Sequence, residues 1–425
     1  MSDRSRSSGV RHGPIANRLA CIPCRRIHAT VAAWYPITPS TSVMDAFTEF
    51  CEKYRKDPES GEKNFLILQA EDELAAIGMV IGASWTGARA FTSTSGPGIS
   101  LMGELLGLAY YAEIPAVVID VQRVGPSTGM PTRTQQGDLL KAAYASHGDT
   151  KHILIFPANP AESFEFAPKA FDLAERFQTP VFMMQDLDIG MNDWVVPRLK
   201  WDESYRPDRG RVLTAEQLEK IAKFFRYSPE DENYVAARTL PGVHAKGAFF
   251  TRGSGHNKLG GYTEIPDEYQ EVIDRLLRKH KAAARFVPEP VIEKRASAQI
   301  GVVTIGGCDL AVREAVEVLA ARGVETDFMR IRGFPFDETV ENFIMEHDVC
   351  YIIEQNRDAQ LRSLLLLETA VAKDKLRSVL VYGGFPLSAR LVVDEIVSQM
   401  DETAHGVTVG VDRTPHPVVR EGVEE

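Results

Sequence analysis

The stretch FLILQAEDELAAIGMVIGASWTGARAFTSTSGPGISLMGELLGLAYYAEIPAVVIDV, from Phe65 to Val121, decides the reading of the fold. It contains three short apolar runs: Phe65–Gln69, Arg89–Thr94 and Ala116–Val121. They do not alternate cleanly between polar and apolar residues, which is how strands buried on both faces look. Between the first two runs, residues 72–86 are rich in Ala, Gly and Ile, a composition suited to a helix packed close on a sheet. After the second run, Gly96-Pro97-Gly98 opens a further helical segment. Strand–helix alternation of this kind argues for a parallel sheet covered on both faces, an α/β fold.

The same alternation extends in both directions. Upstream, Val43, Phe47, Phe50 and Tyr54 recur at helical spacing across 41–55, with Ser40 or Thr41 as N-cap. Downstream, His152–Phe156 and Val181–Met184 read as strands. A second such region begins with Ile300–Ile305, followed by a Gly306-Gly307 turn and a helix at 310–322. Val324–Ile331, Val349–Glu354 and Ser378–Tyr382 continue it as strands. Residues 206–297 are more polar, with RGSGHNKLGGYTEIPDEY at 252–269 and a charged helix at 268–285. The expected division is therefore an atypical segment 1–28, a domain 29–205, a connector 206–297, a second domain 298–400 and a tail 401–425.

Composition narrows the function. The 425 residues suggest about two or three domains. A hydrophobic share of 44% and a charged share of 25% are ordinary globular values, which excludes a disordered tail, a collagen or a coiled coil. The 48 Lys and Arg against 59 Asp and Glu give a net charge of −11, which argues against a general nucleic-acid or membrane-surface binder. No apolar run reaches the roughly 18 residues of a membrane span. Five cysteines in so long a chain point to a reducing compartment, so a cytoplasmic location is expected. Cys21 and Cys24 form a lone CxxC, too few ligands for a structural metal site, and Cys51, Cys308 and Cys350 lie among apolar neighbours as core thiols.

Four segments carry chemistry, all in the first region. YPITPSTSVMDAF (Tyr35–Phe47) is a stiff loop running into a helix N-terminus, with hydroxyls on Thr38, Ser40 and Thr41. It suits an anionic ligand, and it equally suits a plain strand-to-helix connection. In QAEDELAAIG, the acids Glu71, Asp72 and Glu73 stand where a strand gives way to a small-residue helix. They complement the helix dipole, or one of them lies against Leu74, Ala75 and Ala76 with a raised pKa and shares a proton with a ligand nitrogen. TSGPG allows close approach of a ligand or is a structural turn. DVQRVGPSTGMPTRTQQGDL (Asp120–Leu139) is a long loop after a strand, where open α/β sheets bind ligands. Arg123 there can grip a carboxylate with its fork, and Thr128, Thr132 and Thr134 add donors. Gly306-Gly307 is a tight turn or a faint phosphate cradle. Glu354, Gln355 and Asn356 end a strand and suit a ligand, an interface or solvent equally.

In their order and spacing these segments resemble the α subunit of the 2-oxoacid:ferredoxin oxidoreductases, nearest to the 2-oxoglutarate type, from about Ala29 to Met400. The resemblance implies two parallel-sheet domains of thiamine-diphosphate-enzyme type: a pyrimidine-binding domain and a transketolase C-terminal-like domain. It implies oxidative decarboxylation of a 2-oxoacid to an acyl-CoA, with electrons passed to ferredoxin. Pyruvate or a broad set of 2-oxoacids stands as the alternative substrate, and a non-catalytic assembly subunit as the alternative role. Carried over by motif, Glu73 matches the glutamate that hydrogen-bonds the aminopyrimidine and helps remove the thiazolium proton. Pro36 and Ile37 line the cofactor. Arg123 matches the arginine that holds the substrate carboxylate, with Thr38, Thr128 and Thr132 beside it. No metal is expected on this chain. A β subunit is expected to carry the diphosphate and Mg²⁺ site and a four-iron four-sulfur cluster, giving a heterodimer or heterotetramer. The other expected partners are ferredoxin, coenzyme A and the 2-oxoacid, with neither nucleic acid nor membrane. A γ-type domain, fused in many relatives, is expected as a separate chain or not at all. The glycine-rich helix that precedes Ala29 in relatives is replaced here by MSDRSRSSGVRHGPIANRLACIPCRRIH.

Overall fold

The computed structural model describes residues 28–228, 231–295 and 298–404. The first 27 residues of the atypical N-terminal segment, Cys21 and Cys24 among them, and residues 405–425 of the expected tail 401–425 lie outside the described residues.

In chain order the first part builds β1 (Ala29–Trp34), α1 (Thr41–Tyr54), β2 (Leu66–Gln69), α2 (Glu73–Trp85), β3 (Arg89–Thr94), α3 (Gly96–Tyr111), β4 (Ala116–Gln122) and α4 (Leu139–Ala143). It continues with β5 (Ile153–Ile155), α5 (Pro160–Phe177), β6 (Pro180–Asp186) and α6 (Leu187–Met191). A polar stretch holds α7 (Ala215–Lys220) and α8 (Pro266–Ala282). Then come β7 (Val291–Glu293), β8 (Ile300–Ile305), α9 (Asp309–Ala321), β9 (Thr326–Ile331), β10 (Gly333–Phe334), α10 (Glu338–Glu346), β11 (Val349–Glu354), α11 (Gln360–Glu368), β12 (Leu376–Leu380) and α12 (Ala389–Ala404).

The strands form a seven-stranded sheet in the order β10-β5-β6-β4-β3-β1-β2 and a five-stranded sheet in the order β12-β11-β8-β9-β7. Pairing is parallel throughout, apart from β10 against β5 and β7 against β9. The fold class is the α/β class that the alternation implied. Alternation along the strands then sorts side chains onto two faces. In β4, Val117, Ile119 and Val121 meet Phe47 of α1 and Phe171 and Phe177 of α5. Ala116 and Val118 meet Ile77 of α2 and Met102 and Leu106 of α3. This second layer runs on without a break into Val303, Met329 and Ile352 of the other sheet. The far face of that sheet is closed by Val312 and Leu319 of α9 and Val392 and Ile396 of α12. Cys51, Cys308 and Cys350 are all buried. No helix among the described residues is long and apolar enough to cross a membrane.

The structure departs from the sequence reading in places. β1, with its Ala-rich ATVAAW, was not expected, nor were β7 and β10, which are too short to show as apolar runs. The last strand lies at Leu376–Leu380 rather than 378–382. β2 is not buried on both faces: it is the sheet's edge, and Leu66 is 49% exposed.

The base of the first sheet is pinned by a buried carboxylate. Glu113, at the turn between α3 and β4, is fully buried and accepts from Arg275 Nη1 at 3.0 Å and Lys279 Nζ at 2.7 Å, both on α8. Those two cations hold its carboxyl far below the usual range against the cost of burial. Glu113→Gln leaves both cations buried without their anion. It is expected to lower unfolding free energy by about 3–5 kcal/mol, read from urea unfolding; a loss under about 1 kcal/mol, typical of an exposed pair, would contradict this role.

Candidate active site at the carboxyl ends of the strands

Strand order reverses at β1, which has β2 on one side and β3 on the other. Ligands of open α/β sheets bind in the crevice at such a reversal, beyond the carboxyl ends of the strands. The loops that leave β1, β2, β3 and β4 at this end are the four segments singled out by sequence.

The three acids after β2 divide their work. Asp72 is the N-cap of α2, its Oδ1 accepting from Ala75 N at 2.7 Å. Glu71 is exposed. Glu73 is only 6% exposed. It is not covered by Leu74, as the sequence suggested, since Leu74 is 42% exposed. Its cover is the start of α3: a Cβ on Gly98 would stand 2.9 Å from Glu73 Cγ and 3.1 Å from its Oε1. The glycine of the TSGPG turn therefore serves close packing. Among the described residues, the Glu73 carboxylate accepts no hydrogen bond.

In the YPITPST loop, Ser40 and Thr41 do not offer their hydroxyls to a ligand. Both donate to the Ile37 carbonyl, at 3.0 and 3.3 Å, which closes the loop onto α1. Pro36 and Thr38 are exposed and Ile37 is half-buried. The Thr38 carbonyl accepts from Arg123 Nη1 at 2.7 Å, so the structure does bring these two loops together.

Arg123 is buried, and its Nε has no partner among the described residues. Burial pulls its pKa below the ordinary arginine value, opposed by nearby Asp138 and Glu73. The loop beyond it is folded rather than extended. Val124 N–H donates to Arg133 O, Met130 N–H to Val124 O and Arg133 N–H to Met130 O, each at 3.0 Å. Thr128 and Thr132 are exposed on this loop, and no hydrogen bond joins either of them to Arg123, Thr38 or Glu73. Thr134 is buried and accepts from Asp188 N at 3.4 Å, a fastening for the loop.

The second sheet presses its own carboxyl ends onto this region. Gly307 N–H donates to Asp186 Oδ2 at 3.0 Å, where a Cβ on Gly307 would come within 2.5 Å. That turn is a joint between sheets, not a phosphate cradle. Gln355 and Asn356 bond to the backbone of Gln136 in the Arg123 loop, and the Glu354 carboxylate accepts from the N–H groups of Leu361 and Arg362 at the start of α11. Sequence reasoning missed a group of buried oxygens next to the site. Thr92 Oγ1, Ser95 Oγ, both oxygens of Asp120 and Oδ2 of Asp138 are enclosed without partners among the described residues. An acid inside the apolar run AVVIDV was the signal for it.

Comparison with known proteins gives a consistent family. Residues 24–216 match the family described as "Pyruvate flavodoxin/ferredoxin oxidoreductase, thiamine diP-bdg". The chain is 35% identical to 2-oxoacid:ferredoxin oxidoreductase 2, subunit alpha, of Aeropyrum pernix, over 84% of this chain and 56% of that protein. It is 34% identical to 2-oxoglutarate synthase subunit KorA of Methanocaldococcus jannaschii, over 72% of this chain and 78% of that one. Among solved structures, 2-oxoglutarate:ferredoxin oxidoreductase from Magnetococcus marinus, with 2-oxoglutarate, coenzyme A and succinyl-CoA bound, superposes with a TM-score of 0.79 at 26% identity. That match covers 91% of this chain and 64% of the other. The chain thus spans little more than half the length of the Aeropyrum relative.

The packing of Glu73 makes a testable claim. A Cβ on Gly98 would lie 1.9 Å from Thr94 Oγ1 as well as against Glu73. Gly98→Ala is expected to cost about 1–3 kcal/mol in unfolding free energy. Adding Thr94→Ala should recover part of that loss by removing the nearest atom. A fully stable Gly98→Ala variant would show that the helix start is not packed as described.

Proposed function

The chain belongs to the family of 2-oxoacid:ferredoxin oxidoreductase α subunits, and from that premise we propose that it works as the α subunit of a thiamine-diphosphate-dependent enzyme that oxidatively decarboxylates a 2-oxoacid. The 2-oxoacid and coenzyme A would give an acyl-CoA and CO2, with two electrons passing one at a time to ferredoxin. The proposed substrate is 2-oxoglutarate, which the similarity to two proteins named for that acid supports.

One observation carries the reading: a buried glutamate carboxylate without a partner among the described residues, at the crevice where the loop bearing a buried arginine begins. The residues present fit an amine-bearing aromatic ring. Glu73 supplies a hydrogen-bond acceptor fixed by helix packing, and the glycine turn at 96–98 leaves its side free of a Cβ. Thiamine diphosphate, when bound, supplies the nucleophilic carbon and the electron sink that decarboxylation of a 2-oxoacid requires. Glu73 would hold the aminopyrimidine through a ring nitrogen, keeping it in the protonation state that accepts the thiazolium proton. The Pro36–Ile37 backbone would line the same ring. Arg123 would take the substrate carboxylate with the part of its fork that the Thr38 carbonyl leaves over. Thr38, exposed beside it, would meet the rest of the acid, with Thr128 and Thr132, exposed on the same loop as Arg123, as further donors.

The diphosphate, Mg²⁺ and an iron–sulfur cluster are assigned in this proposal to a β subunit, in keeping with the subunit alpha naming of the relatives. A γ-type chain, ferredoxin and coenzyme A complete the proposed partners.

Two substitutions test the reading in the assembled enzyme. Glu73→Gln keeps shape and burial and removes the acceptor charge. It is expected to lower kcat by at least about 100-fold, with assembly and melting temperature unchanged. Arg123→Lys loses the fork and is expected to raise KM for the 2-oxoacid by roughly 10–100-fold, the equivalent of one charged hydrogen bond. Turnover of Glu73→Gln at the wild-type rate would end the assignment.

A further inference from the structure

Asp120 is an acid in the interior of an apolar strand. It is fully buried, and neither carboxyl oxygen has a partner among the described residues. It shares a face of β4 with Ala116, Val118 and Gln122. Asp138 comes to the same face, its N–H donating to Gln122 Oε1 at 3.1 Å. The Asp138 carboxylate abuts the start of α3, where a Cβ on Gly96 would stand 2.5 Å from Oδ1 and 2.9 Å from Oδ2. Asp138 Oδ2 also lacks a partner, as do the hydroxyls of Thr92 on β3 and Ser95, the N-cap of α3.

Buried oxygens in such number are almost never left unsatisfied. Two ionised carboxylates enclosed together repel each other, and one of the pair then takes a proton. The alternative is a bound cation. A cation is disfavoured here by the start of α3, which carries partial positive charge, and by Arg123 at the end of the same strand. A proton is not: it neutralises one acid and gives the cluster a donor. The helix start and Arg123 stabilise the remaining negative charge on the Asp138 side.

We propose that Asp120 and Asp138 share one proton and together present a single negative charge behind Arg123. The consequence for substrate rests on the reading of Arg123 given above. Two ionised acids would outweigh the guanidinium and repel an incoming 2-oxoacid. One shared proton removes one of those negative charges and so weakens the repulsion. Asp120 is then a positioning residue that acts through Asp138 and Arg123.

The charged and titratable groups around Asp120 are few. Asp138 faces it from the loop and Arg123 from its own strand, with Glu73 of α2 acting on Arg123. β3 and α3 present Thr92, Thr94 and Ser95. Its register partner on β6 is Met184, and Asp186 further along β6 is turned to Gly307 and Gln136. Burial and the neighbouring Asp138 hold the Asp120 carboxyl well above the usual range, and burial raises Asp138 against the pull of Arg123. A carboxyl raised in the folded state gives its full stability below the unfolded value of about 3.9. That stability is lost as pH rises through the folded value.

Thermal unfolding of the full chain from about pH 4 to about pH 8 tests the pair. Asp120→Asn mimics the protonated acid. It is expected to melt above the wild type at the alkaline end by about 2–4 °C, with the gap closing toward the acid end. A variant that melts below the wild type with an unchanged pH slope would overturn the shared proton. So would K⁺ or Mg²⁺ raising the wild-type melting temperature but not that of the variant. Should Asp120→Asn fail to fold, the wild type decides alone: its infrared spectrum at neutral pH must contain a buried carboxylic acid band that moves on ¹³C labelling of aspartate, and its absence refutes the pair. In the assembled enzyme, KM for the 2-oxoacid should rise with pH in the wild type and stay flat in Asp120→Asn. An identical rise in both would overturn the link to substrate. If no 2-oxoacid is turned over at all, the reading of the site fails, while the melting comparison still decides the proton.

Discussion

Gln136 ties the loop that carries Arg123 to both sheets at once. Its side-chain amide donates to Asp186 Oδ2 at the end of β6 and to the Ile305 carbonyl at the end of β8, each at 3.2 Å. Its Oε1 accepts from Gln355 N at 3.3 Å, and its own N–H donates to Gln355 O at 2.9 Å. Its carbonyl accepts from Asn356 Nδ2 at 3.0 Å. A buried polar group left unpaired costs about 1–3 kcal/mol, whereas a fully paired network fixes one arrangement. The position of Arg123 therefore depends on the second sheet as much as on its own strand. The five-stranded sheet thus helps to fix the shape of the crevice through Gln136.

This constraint also accounts for the fate of the second sheet's own crevice. Its strand order reverses at β8, with β9 on one side and β11 on the other. By the usual rule a ligand would sit beyond the ends of β8 and β11. Here Gly307 and Gln355 stand at those ends, the first bonded to Asp186 of the first sheet and the second to Gln136 of the loop after β4. The second switch point is filled by protein.

The architecture was legible because apolar runs of six residues such as Ile300–Ile305 can hardly be anything but strands when helical segments separate them. β7 and β10 were not legible, since three and two residues carry no period. At the site, sequence pointed to the right loops but not to the use each residue is put to. Ser40 and Thr41 look like ligand hydroxyls, yet short hydroxyl side chains bond readily to their own backbone, and the Ile37 carbonyl is within reach. Asp72 and Glu73 are neighbours of like chemistry. What separates them is direction: one side chain turns back to cap the helix and the other turns in toward α3, as the bare Cα of Gly98 permits.

An anionic substrate approaching a chain of net charge −11 is a paradox only at long range. At physiological ionic strength charges beyond about 8 Å are largely screened, so the balance at the crevice is local. It comprises one guanidinium and the carboxyls of Glu73, Asp138 and Asp120. Counted as fully ionised, those groups would sum to a net negative site around Arg123, the wrong sign for an acid to enter. Burial lessens the excess without removing it: with one proton bound, two negative groups face the guanidinium instead of three. It raises the cost of each extra charge until one proton stays bound. On the reading proposed here, the protonated acid in the middle of an apolar strand spares an arginine already flanked by carboxylates one further negative charge.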